Sequence, residues 1–317
     1  SRCIPECSSM MHTFLVDVRI ASARLARNGH AGAGRRHAGH GRGTSAFASP
    51  RLVRHALVDI DGTLMARGCP LPGAVAAFER LRTGMRSLSL VTNQSQVDTA
   101  TLAARVRALG FEVAAGELFS AIAAARRLVE RERLRPLYLL TDEALQEFAC
   151  LAPPQSELNC VVVGTAPAQF SYDRLARALD VLLAGANHQL IAVNKGRYTK
   201  DAVGNIVPMA GPLVAALEFG SGIEARVVGK PNAAFFHLAV NTPDGEPQEL
   251  DRYVMIGDDA VDDVQGAMDA GMKAILVRTG KYQQGDELRL KKPPLAVVDN
   301  FAAAVDFLDA AGSFRES

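Results

Sequence analysis

The sequence has no uninterrupted apolar run near the roughly 18 to 20 residues that a helix needs to cross a bilayer. No membrane partner is therefore expected. Cysteine is sparse too: Cys3, Cys7, Cys69, Cys150 and Cys160 are scattered and odd in number. They lack the paired spacing of a zinc site and the density of a disulfide scaffold, which points to a reducing, cytoplasmic compartment. Neither charge is in excess. A formal net charge of +1 and a pI near 7.7 offer no global attraction to nucleic acid or an anionic membrane, so any anionic substrate must be held by a local site.

Acidic residues are nearly missing from the first fifty positions, where only Glu6 and Asp17 stand among many Arg, His, Gly, Ala and Ser. Such a stretch buries too little apolar surface to order itself. Two readings of it remain open. Met10-Met11 can initiate a basic, acid-poor transit peptide through Phe14-Leu15-Val16 and Arg19 to Arg36, which would send the protein to the mitochondrion or another organelle; or residues 1–50 are an untranslated leader or dispensable tail.

What the chain does contain is core-forming material: 48% hydrophobic residues over 317 positions, enough for one large or two ordinary domains. From Arg51 onward, short apolar runs alternate with helical stretches, the pattern of a parallel sheet covered by helices. Strands are expected at His55–Val58, Leu88–Val91, Arg226–Val228, Tyr253–Ile256 and Ala274–Val277, and helices at Ala74–Leu81, Thr99–Leu109, Ala121–Glu132 and Asp262–Ala270. A middle region repeats the style. Its strands are expected at Leu137–Leu140, Cys160–Val163 and Leu190–Val193, and its helices at Glu143–Phe148, Tyr172–Leu183 and Gly211–Phe219. The fold class predicted is α/β, with a doubly wound, Rossmann-like parallel-sheet core over residues 51–133 and 226–312 and an α/β cap inserted over 134–225.

Four short segments carry candidate chemistry. In Asp59-Ile60-Asp61-Gly62-Thr63, two carboxylates follow an apolar run, and Gly62 lets the chain turn so that both reach one pocket. Carboxylates clustered at the carboxyl end of a parallel strand suit a ligand site and a hard cation such as Mg²⁺, although an Asp-Gly turn with a helix cap explains the segment equally well. Val91-Thr92-Asn93 can hold a phosphoryl oxygen or simply cap a helix. In Gly229-Lys230-Pro231 the lysine can answer the acidic cluster or be a solvated surface charge. Ile256-Gly257-Asp258-Asp259-Ala260-Val261-Asp262-Asp263 places four acids in six positions. Helix capping accounts for Asp262 or Asp263, but not for Asp258 directly after a buried strand.

Taken in order, Asp59, Thr92, Lys230 and Asp258 resemble the four motifs of the haloacid dehalogenase superfamily of phosphatases, in the branch with a large α/β cap between the second and third motifs. The resemblance runs from about Arg51 to Leu308 and includes Ala124–Arg131, Lys195–Tyr198 and Val277–Tyr282. It implies a phosphatase in which Asp59 is the nucleophile and Asp61 the general acid and base. It further implies that Thr92, the Asn93 amide and Lys230 hold the phosphoryl group. Mg²⁺ would be held by Asp59, the backbone carbonyl of Asp61 and Asp258, with Asp263 completing the metal site or orienting Lys230. Members of the branch most like this chain carry serine where Asp61 stands, whereas most phosphatases of the superfamily carry aspartate. Asp61 thus favours a small phosphorylated monoester as substrate. Pyrophosphate or a phosphoamino acid as substrate, and a non-catalytic binding protein, are the alternatives. The cap would contribute substrate contacts from Lys195, Arg197 and Tyr198, which are as readily read as solvated loop residues, and a homodimer through the cap is a fair expectation.

Overall fold

The structure, a computed structural model, describes residues 53–114, 116–153, 156–200, 205–240 and 249–314. The leader expected over residues 1–50 lies outside them. The larger sheet has six parallel strands in the spatial order Ala296–Val298, Lys273–Val277, Tyr253–Gly257, His55–Asp59, Ser87–Thr92 and Leu118–Ser120. Alternation along each strand sends neighbouring side chains to opposite faces. Leu57, Val91, Met255 and Leu276 therefore join one apolar cluster, while Ala56, Val58, Leu90, Ile256 and Val277 join another. Because both faces are apolar, both need a helical cover. The helices Ala74–Gly84, Thr99–Ala108 and Phe301–Ala310 bury Phe78, Val106 and Leu308 against one face. On the other, Ala121–Arg131 and Ala233–Ala239 bury Ile122, Phe235 and Phe236. This is the doubly wound layout expected.

A second sheet has four parallel strands, ordered Arg226–Val227, Gln189–Ala192, Cys160–Val163 and Pro136–Leu139. One face carries Leu139, Val161, Val163 and Leu190 against the helices Tyr172–Leu183 and Ala210–Ser221. From the opposite face, Cys160, Val162 and Ile191 share a continuous apolar cluster with Leu57 and Met255 of the larger sheet. The two sheets are thus joined by a common buried core. Tyr198–Lys200 and Ile206–Pro208 pair antiparallel as a separate two-stranded hairpin sheet.

Three expectations change. Arg226-Val227 belongs to the second sheet, pairing with Ile191 and Ala192, and not to the larger one; with Arg226 exposed and Val227 half-buried, the two residues give no clue to which sheet they complete. The helix expected over Asp262–Ala270 begins earlier, as a π-helical turn over Ala260–Gln265 that passes into α-helix at Gly266–Asp269. Finally, Tyr198 is the first residue of a hairpin strand and not part of a loop.

Candidate active site and metal centre

The site forms where the larger sheet's strands end. Asp59 closes the central strand, Thr92 closes its neighbour, and Asp258 follows Gly257 at the end of the strand on the other side. Register places Asp59 beside Val91 and Val58 beside Ile256, so motifs distant in sequence emerge side by side. Ligands bind at this edge of open α/β sheets.

Lys230 enters from the connection out of the second sheet and is 4% exposed. Its Nζ lies 2.6 Å from Asp59 Oδ1 and 2.6 Å from Asp263 Oδ1, and 3.4 Å from the carbonyl oxygen of Val91. The Asn93 side chain clasps the Lys230 backbone on both sides: Oδ1 accepts from the Lys230 amide at 2.8 Å, and Nδ2 donates to its carbonyl at 2.9 Å. The same Nδ2 is 3.1 Å from Asp262 Oδ2. Burial alone would lower the lysine's pKa, but the flanking carboxylates of Asp263 and Asp59 outweigh it and raise the pKa. The ammonium stays charged.

Asp59, Asp258 and Asp263 each place a carboxylate oxygen within 4.8 Å of the others'. All three are buried. Three carboxylates against one ammonium leave two negative charges, which one divalent cation cancels. The excess falls on Asp258. Burial, followed by repulsion from Asp59 and Asp263, pushes its pKa up to about 8. Two glycines make room for this carboxylate: a Cβ on Gly62 would come within 2.3 Å of Asp258 Oδ2, and one on Gly280 within 2.0 Å. Both have positive φ, 96° and 53°, which glycine adopts freely. The donor set therefore fits a hard divalent metal.

Around this centre stand residues whose roles the sequence did not suggest. The Thr63 hydroxyl, fully buried, lies 3.3 Å from both Asp59 Oδ2 and Asp258 Oδ1. The Lys281 amide donates to Asp258 Oδ2 at 2.6 Å, and its Nζ pairs with Asp259 at 3.2 Å. Thr279 donates to the Gly62 carbonyl at 2.5 Å, tying the loop after the fourth motif to the first. Thr63 and Lys281 lie inside the segments that signalled the site, so position pointed to them although residue type did not.

The four acids after Gly257 divide their work. Asp259 caps the π-helical turn, its Oδ1 accepting from the Val261 and Asp262 amides at 3.0 and 2.9 Å. Capping was expected of Asp262 or Asp263 and falls instead to Asp259, because the turn starts two residues early. Burial would raise Asp259, but Lys281 and these amides prevail and lower its pKa. Asp262 is pushed up to about 6, first by burial and then by Asp259.

Asp61 is exposed at the mouth, yet protein crowds it, and this desolvation raises its pKa against the pull of Lys230 and Lys281. Its carboxylate is not among the clustered three. Thr92 is buried, and its Oγ1 accepts from the Gln94 amide at 3.1 Å. Lys195 pairs with Glu218 at 2.9 Å, on the helix covering the second sheet, while Arg197 and Tyr198 are exposed. These three do not gather around the carboxylates through any described contact.

Comparison with known proteins agrees with this geometry. Residues 56–152 match the family described as haloacid dehalogenase-like hydrolase, and residues 227–304 match a HAD-hydrolase-like family. Haloacid dehalogenase-like hydrolase domain-containing protein 2 of Mus musculus is 41% identical over 262 residues, 83% of this chain and 98% of that protein. The phospholysine phosphohistidine inorganic pyrophosphate phosphatase of Bos taurus is 39% identical over 260 residues, 81% of this chain and 94% of that one. Among solved structures, a glycerol phosphate phosphatase from Mycobacterium tuberculosis in complex with magnesium is 26% identical, with a TM-score of 0.68, over 78% of this chain and 75% of its own. With relatives 39–41% identical across nearly their whole length, the chain belongs to the haloacid dehalogenase-like hydrolases.

Proposed function

We propose that the protein is a Mg²⁺-dependent phosphatase that hydrolyses a small phosphomonoester through a phosphoryl group carried on Asp59. The observation that carries this reading is the Asp59 carboxylate, 6% exposed, at the end of the central strand, 2.6 Å from Lys230 and within 4.8 Å of Asp258 and Asp263. In the first step an Asp59 oxygen attacks phosphorus, the bond to the leaving oxygen breaks, and Asp61 gives that oxygen a proton. In the second, Asp61 takes a proton from water, the water oxygen attacks phosphorus, and the Asp59 ester bond breaks to release inorganic phosphate.

Lys230 supplies positive charge to the transferring phosphoryl group, and the Asn93 clasp on its backbone fixes where that charge lies. Thr92 and the Asn93 amide bind phosphoryl oxygens. Asp59, the Asp61 carbonyl and Asp258 would hold Mg²⁺, with Asp263 anchoring Lys230. When bound, the ion supplies Lewis-acid stabilisation of charge on the phosphoryl oxygens.

The pyrophosphatase named among the relatives motivates a second reading, with pyrophosphate or a phosphoamino acid as substrate. A non-catalytic binding protein is the third, and the presence of both Asp59 and Asp61 weighs against it. The remaining elements of this reading are Lys195, Arg197 and Tyr198 as cap contacts, a homodimer, and a cytoplasmic location in preference to an organelle. No helix among the described residues is long and apolar enough to cross a membrane. Light scattering of the purified chain reads the dimer. Phosphate release from a panel of monoesters, with and without Mg²⁺ and beside Asp59→Asn, tests the activity: wild-type release should require the metal and vanish in the variant. Undiminished turnover by a folded Asp59→Asn protein would sink the assignment.

A further inference from the structure

Of the four acids after Gly257, Asp258 lies in the carboxylate cluster, Asp259 caps the π-helical turn and Asp263 holds Lys230 Nζ. Asp262 does none of these. It is half-buried, and the one hydrogen bond its side chain makes among the described residues is to Asn93, whose Nδ2 donates to Asp262 Oδ2 at 3.1 Å.

That bond completes the set available to the Asn93 side chain. An asparagine amide has one oxygen and two N–H donors. In Asn93 the oxygen accepts from the Lys230 amide at 2.8 Å, and the nitrogen donates both to the Lys230 carbonyl, at 2.9 Å, and to Asp262. Gly229 makes room for the clasp: a Cβ there would fall 2.5 Å from Asn93 Oδ1. The two bonds to Lys230 set which end of the amide faces which backbone group, and the bond to Asp262 holds the amide from a third side. A carboxylate acceptor makes that third bond the stronger kind.

Asp262 and Asp263 are consecutive in the π-helical turn Ala260–Gln265, and between them they address both ends of one lysine. Asp263 Oδ1 takes the ammonium at 2.6 Å, while Asp262 takes the amide that clasps the lysine backbone. Wide turns of this kind recur at functional sites.

We propose that Asp262 is a positioning residue: by holding the Asn93 amide it fixes the backbone from which Lys230 reaches Asp59, and so sets where the ammonium meets the transferring phosphoryl group. The consequence for turnover rests on the phosphatase reading above; the hold on the lysine does not. What Asp262 contributes is an acceptor atom at a fixed place, so an uncharged acceptor of the same shape should serve. Asp262→Asn keeps an oxygen for Asn93 Nδ2, whereas Asp262→Ala removes it. Both substitutions delete the same charge, which separates positioning from electrostatics.

Turnover of 4-nitrophenyl phosphate and the spectrum of ¹⁵N-lysine-labelled protein, both with Mg²⁺ present, test the proposal. Asp262→Ala should lower kcat by about tenfold with KM within about twofold of wild type, and Asp262→Asn should stay within about threefold of wild type in both. Adding Asp262→Ala to Asn93→Ala should cost nothing further, because the amide through which Asp262 acts is already gone. The Lys230 Nζ signal, assigned by its loss in Lys230→Arg, should move more in Asp262→Ala than in Asp262→Asn. Equal losses in the two Asp262 variants, an unchanged kcat in Asp262→Ala, or a full further loss in the double variant would overturn the proposal. Release of no phosphate by the wild type would overturn the phosphatase reading and the consequence for turnover with it, while the Nζ signal would still decide whether Asp262 holds the lysine.

Discussion

Asp258 shows most clearly how single residues set this site. It is a buried carboxylate pushed up to about 8 by burial and by two acidic neighbours, and held between two glycines that leave space for nothing larger. A side chain at position 280 must displace it. Gly280→Ala should therefore weaken Mg²⁺ binding by about tenfold, as changes to the support of a metal ligand commonly do; isothermal titration with Mg²⁺ checks this without any substrate. Lys230 has the opposite charge and the same dependence on its neighbours. Lys230→Met leaves Asp59 and Asp263 buried without their cation, which should cost about 3–5 kcal/mol of stability in metal-free protein. Denaturant unfolding measures the loss.

The strands account for what could and could not be read along the chain. The ends of His55–Asp59, Ser87–Thr92 and Tyr253–Gly257 were legible because, although a turn or a helix cap explains two of these segments alone, acids, Thr-Asn and lysine recur in one order at the ends of apolar runs. Arg226-Val227 was misplaced because partner choice is a tertiary matter, and a two-residue edge strand carries no pattern that names its sheet. The short strands Leu118–Ser120 and Ala296–Val298, like the helices Ala233–Ala239 and Phe301–Ala310, were not anticipated. They take their form from the sheet they cover or extend more than from any local period. The roles of Thr63 and Lys281 depend on contacts across 195 and 23 residues, which no local motif encodes.

Cys160, fully buried in the second sheet, supplies a prediction at the same scale. Burial pushes its thiol up to about 12. It should resist alkylation at pH 8 in the native protein, while the exposed Cys69 and Cys150 react; peptide mass mapping distinguishes them. Because the folded pKa lies above the unfolded one, its contribution to stability is complete below about pH 8.5 and is lost as pH rises toward 12.

At the scale of the whole molecule, the decisive feature is the apolar cluster common to both sheets. Ile191 and Val162 of the second sheet pack in the same buried set as Leu57 and Met255 of the first. Neither sheet can lose its cover without exposing the other, so both should melt in one calorimetric transition rather than two. Ile191→Ala should destabilise that single transition by about 2–5 kcal/mol. The same coupling positions the chemistry. Lys230 is delivered to Asp59 by the chain leaving the second sheet, and Asn194 of that sheet holds the backbone at Asn93.

The central claim is that Asp59 accepts the phosphoryl group. Rapid acid quenching during turnover of a ³²P-labelled phosphomonoester, followed by peptide mapping, tests it most directly. Label should reside on the peptide containing Asp59 in the wild-type protein and be missing from Asp59→Asn. Label on a different residue, or equal labelling of the variant, would contradict the account.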